Sequence, residues 1–182
     1  MWKRIQRLFG GTSHPASSAA NTSPQSNVDD PSPGVTIRFG KAVPIDEGFQ
    51  AWTSGDLKRM LNALNIQTNL IDRHFLLMNI VEQTYKKRSD PQMAQTCAQI
   101  AELHLREFPQ IAPALREDFD GMLPRVATFQ RYATLLAEGG EFDKAIDVCR
   151  LALTYGLDDN TQSGFQGRIH RIKKEKAKRQ QA

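Results

Sequence analysis

The sequence predicts an all-α fold on three observations. Apolar residues recur every three and four positions through most of residues 57–172. Glycine, proline and cap residues punctuate that pattern at helical intervals, and strand-like alternation occurs only at Val35, Ile37 and Phe39. A length of 182 residues with 40% hydrophobic content suits one domain plus tails.

In chain order, MWKRIQRLFG places Trp2, Ile5, Leu8 and Phe9 near one helical face and Lys3, Arg4 and Arg7 mostly off it. Residues 1–9 therefore read as a short basic amphipathic segment able to rest on a membrane surface. Ser, Pro and Gly fill 13 of the 25 positions in residues 10–34, a composition that cannot bury enough surface to offset its ordering entropy. That stretch is expected to be a disordered linker. Residues 35–68 are expected to hold an extended segment laid on helices, since no second strand is evident, followed by short helices. Thr53-Ser54-Gly55-Asp56 can end one of these helices and cap the next, LKRMLNALN.

Residues 69–179 form the expected helical domain. Leu70, Ile71, His74, Phe75, Met78, Val81 and Tyr85 make one apolar stripe, with His74 at the edge of the core. Pro91 suits the first turn of a second helix carrying Cys97, Ile100, Ala101, His104 and Phe108, which Pro109 is expected to stop. IAPALREDF would be a separate short helix, and residues 121–124 a loop. GFQGRIHRIKKEKAK reads as a terminal helix with Phe165, Ile169 and Ile172 facing inward.

Between these lies FQRYATLLAEGGEFDKAIDVCRLALTY, residues 129–155, a helix, a Gly139-Gly140 turn and a second helix. It resembles the tetratricopeptide repeat. Phe129, Tyr132-Ala133, Leu136, Gly140, Phe142, Ala145-Ile146 and Ala152-Leu153 match that family's signature positions, whereas Cys149 and Leu157 stand where an aromatic and a proline are usual. Weaker matches at the same spacing place Met60 34 residues before Ala94, and Gly167 34 residues after Ala133. The resemblance implies an antiparallel helix-turn-helix array closed by a capping C-terminal helix. It also implies a non-enzymatic module that binds a protein or peptide on its first helices. Their outward residues in the clear repeat are Gln130, Arg131, Thr134 and Glu138. The Asn and Lys/Arg set of the family's carboxylate clamp is not present.

Charge is unevenly spread. Residues 1–7 carry +3 and residues 168–182 carry +6, which leaves −5 on the body of a chain whose net charge is +4. Any contact with nucleic acid or anionic lipid must therefore use the ends, above all Arg168, Arg171, Lys173, Lys174, Lys176 and Lys178. Cys97 and His104 share a helix face and invite a nucleophile-and-base reading, but both lie on the stripe expected to be buried. No zinc-ligand spacing, glycine-rich phosphate loop or GxSxG occurs, so no metal, cofactor or catalytic site is expected. With no signal peptide and no run of about 20 apolar residues, the chain is expected to be soluble and cytoplasmic, or peripheral at a membrane through residues 1–9.

Overall fold

Residues 34–38 and 41–181 are described by the computed structural model, and they fall into two units that divide between Asp46 and Glu47. The basic segment 1–9 and all of the linker 10–34 except Gly34 lie outside the described residues.

The first unit corrects the expectation of a lone extended segment. β1 (Val35–Arg38) pairs antiparallel with β2 (Lys41–Pro44), Thr36 opposite Val43 and Ile37 opposite Ala42. Ile45 N–H donates to the Gly34 carbonyl at 2.6 Å beyond the last pair. The apolar residues of β1 face outward, Val35 being 64% and Ile37 59% exposed.

The second unit is helical. α1 (Glu47–Ser54) stops at Gly55, and Asp56 caps α2 (Leu57–Asn62) by accepting from Arg59 N–H at 3.1 Å. After a 3-10 turn (Ala63–Asn65), Asn69 caps α3 (Leu70–Lys86) and Asp90 caps α4 (Pro91–Asp118), which opens with Pro91. α5 (Ala127–Glu138), α6 (Phe142–Thr154) and α7 (Gly164–Gln180) start without any side-chain cap. α5 ends in a Schellman turn. Gly140 takes φ +82, its N–H bonds to the Ala137 carbonyl, and Glu141 N–H reaches back to Leu136.

α3 packs against α1, α2, α4 and α5. Contact on so many sides explains why it buries Leu76, Leu77 and Ile80 besides the predicted stripe, while Leu70, in the first turn, stays 40% exposed. His74 is likewise fully buried and not at the core edge. Trp52 of α1 stacks on Phe75 at 4.9 Å between ring centroids, and its indole N–H donates to the buried Asp72 carboxylate at 2.8 Å.

The expected stop at Pro109 does not occur. α4 runs on through Pro109 and Pro113, so IAPALREDF is its last third and not a separate helix. Both prolines are exposed, and the buried series Cys97, Ile100, Ala101, His104, Phe108, Ile111, Ala112, Leu115 continues past them without a break in period. Tertiary burial therefore outweighs two missing backbone hydrogen bonds. Pro109→Ala is expected to raise stability by about 1–2 kcal/mol, less than the full interior penalty because proline also restricts the unfolded chain. Urea unfolding checks this; a lower midpoint would mean the packing needs the proline-imposed curvature.

Pair contacts give the path of the chain. Val81–Cys97 and Arg73–Glu107 run α3 and α4 antiparallel, and Tyr132–Glu102 and His104–Thr128 do the same for α4 and α5. α6 and α7 are also antiparallel, through Asp143–Lys176 and Phe142–Arg179. α3, α5 and α7 are consequently parallel to one another. The positions carrying the repeat signature are buried, apart from the turn glycine and Leu153, which is 41% exposed. Phe165, Ile169 and Ile172 of α7 are buried as expected.

Candidate partner-binding surface

The four outward residues of α5 are all held by neighbours within the chain. Arg131 forms a two-pronged pair with Glu82 of α3, Nε to Oε1 at 2.8 Å and Nη2 to Oε2 at 3.3 Å. Glu138 accepts from Arg88 just beyond α3, at 2.8 and 2.9 Å. Both guanidiniums lie over the ring of Tyr85, Arg88 at 4.1 Å and Arg131 at 4.9 Å from its centroid. The hydrogen bonds from Arg88 hold the Glu138 carboxyl below its ordinary range. Thr134 Oγ1 donates to the Gln130 carbonyl and accepts from Arg168 of α7, each at 2.9 Å. Gln130 accepts at its side-chain oxygen from Arg125 at 2.8 Å.

From the sequence, a groove shared with α3 would draw on Arg73, Glu82 or Lys86; Glu82 does join this surface, whereas Tyr85 and Arg88 were missed. The signal was present in two opposite-charge pairs, 82 with 131 and 88 with 138, at nearly the same separation along the chain. Only a known parallel packing of α3 and α5 makes that spacing meaningful. Arg73 and Lys86 do not join it: Arg73 is clasped by Glu107 at 2.8 Å, and Lys86 is solvated.

α5 and α7 bound an open groove of about 280 Å³. Ala133, Thr134 and Ala137 line one side; Arg168, Arg171, Ile172 and Glu175 line the other. Arg168, expected as a phosphate contact, is turned toward Asp159 and Thr134. Its Nε bonds to Asp159 Oδ2 at 2.9 Å, and the Asp159 side chain is wholly buried. Burial pushes the Asp159 carboxyl up, but hydrogen bonds from Thr161 and Arg168 outweigh it and hold the group below its ordinary range. Lys176 is also engaged, by Asp143 at 2.5 Å. Arg171, which donates to Ser163 Oγ at 2.9 Å, is exposed, as are Lys173, Lys174 and Lys178.

Cys97 and His104 do not meet. The Cys97 thiol lies 3.8 Å from the Val81 carbonyl, and burial raises its pKa, which disfavours the thiolate a nucleophile needs. His104 belongs instead to a buried polar chain. His74 Nδ1 lies 3.0 Å from His104 Nε2, and His104 Nδ1 lies 2.8 Å from Thr128 Oγ1. His74 Nε2 has no hydrogen-bond partner. Burial lowers the pKa of His74 to about 3 and that of His104 well below its ordinary value, the neighbouring His74 and Arg73 adding to the second shift. Both rings are therefore neutral.

Among the described residues, no group of three or more His, Cys, Asp or Glu side chains is placed to hold a metal ion, and no helix is long and apolar enough to cross a membrane. Comparison with protein-family models, curated proteins and solved structures gives no match.

Proposed function

We propose that this chain is a non-enzymatic interaction module, similar in plan to tetratricopeptide arrays, that holds a protein or peptide segment in the groove between α5 and α7. The observation that carries the reading is the parallel set α3, α5 and α7, whose last two members are bridged by Arg168–Thr134 but leave a groove floored by small side chains. Ala133 and Ala137 admit a close backbone. The clasps to Glu82, Arg88 and Arg168 support the reading by fixing the surface before a partner arrives, which lowers the entropy lost on binding. The candidate nucleophile and base lie in the core, where neither meets substrate.

Ala137→Phe fills the groove without adding charge. Affinity capture with the full chain is expected to recover a partner that this variant retains at least tenfold less well, circular dichroism showing that it is folded. Equal recovery by wild type and variant would refute the groove as the binding site.

A further inference from the structure

The basic residues at the C-terminal end are sorted by folding into two sets. Arg168, Lys176 and Arg179 flank the buried side of α7 and are used within the chain, on Asp159, on Asp143, and on Glu175 and the Phe142 ring. Arg171, Lys174 and Lys178, spaced by three and four residues, form a single exposed line on the side away from Phe165, Ile169 and Ile172, with Arg171 giving one guanidinium nitrogen to Ser163 Oγ at 2.9 Å. The line extends about 10 Å along the helix. Asp143 and Glu175 pair with the inward set, and among the described residues no salt bridge is made by Arg171, Lys174 or Lys178.

What surrounds the line restricts what it fits. A helix that rests in a bilayer surface needs an apolar face, and that of α7 is buried against α6. Single-stranded nucleic acid is held by aromatic platforms, whereas of Gly167, His170, Glu175 and Ala177 beside these cations His170 alone carries a ring. The phosphates of a double helix require neither, only cations on a rigid support. We propose that the outer face of α7 is a sequence-independent contact for the phosphate backbone of a double-stranded nucleic acid, carried by Arg171, Lys174 and Lys178.

The test is fluorescence anisotropy of the full chain with a labelled duplex of about 20 base pairs and arbitrary sequence. Three phosphate contacts predict an affinity that falls about 40-fold between 50 and 200 mM salt. R171Q/K174Q/K178Q changes only exposed side chains and should fold normally, yet weaken binding at 50 mM salt by roughly tenfold or more. K174Q/K178Q, which leaves every residue lining the groove unchanged, should weaken duplex binding yet retain the captured partner as wild type does, so this proposal and the groove reading fail separately. No duplex binding at 50 mM salt, undiminished binding by the triple variant, or binding to phosphatidylserine vesicles with none to duplex would each overturn it.

Discussion

Replacing Ala145 by arginine is expected to unfold the helical body. Ala145 is fully buried on α6, between α5 and α7, in a row with the buried Ile146, Cys149 and Ala152. An arginine there has neither space nor a carboxylate partner, so overpacking and an uncompensated buried charge add together. Their combined cost, above about 5 kcal/mol, is comparable with the whole stability of a typical domain. Thermal unfolding followed by circular dichroism should show no cooperative transition. Lys144→Ala, one residue away, removes an exposed pair with Glu141 and should move stability by less than about 0.5 kcal/mol. An Ala145→Arg variant melting like the wild type would refute tight packing at α6.

The second large effect is loss of stability in mild acid. His74 and His104 are neutral in the fold, with pKa values below the ordinary 6.5, so the unfolded chain binds more protons than the native one as pH falls. Stability is then fully present above about pH 6.5 and declines below it, at up to about 1.4 kcal/mol per pH unit for each ring. From pH 7 to pH 5 the pair should cost about 3–4 kcal/mol. Carboxylates held low by arginine, Glu138 and Asp159 among them, add their loss only in stronger acid. Urea unfolding at pH 7, 6 and 5 measures the effect, and His74→Leu should remove about half of it. A stability that stays level over this range would contradict a neutral buried pair.

Local rules made much of the helical unit legible. Asp56 and Pro91 announce helix starts, Gly140 a helix end, and the period of Phe165, Ile169 and Ile172 a buried face, because each depends only on neighbours in sequence. Elements whose partners are distant were not legible. Lys-Ala-Val-Pro has no alternating pattern, so β2 is defined by its pairing with β1. Pro109 is a stop signal that long-range burial of α4 overrides. The same limit applies to the candidate surface: periodicity put Gln130, Arg131, Thr134 and Glu138 on the outward face of α5, but not the arginines and glutamate, far off in sequence, that hold them. His74 and His104, 30 residues apart, read separately as two ordinary stripe residues.

The uneven distribution of helix caps gives the body a direction in which it comes apart. The starts of α2, α3 and α4 are each secured by an Asn or Asp side chain, an interaction typically worth about 1 kcal/mol, whereas α5, α6 and α7 begin without one. Fraying therefore starts in the half that carries both the groove and the basic line, while the capped half stays closed. The side-chain clasps of Arg131, Arg88 and Arg168, and not the helix starts, are thus what hold the surface offered to other molecules in one shape.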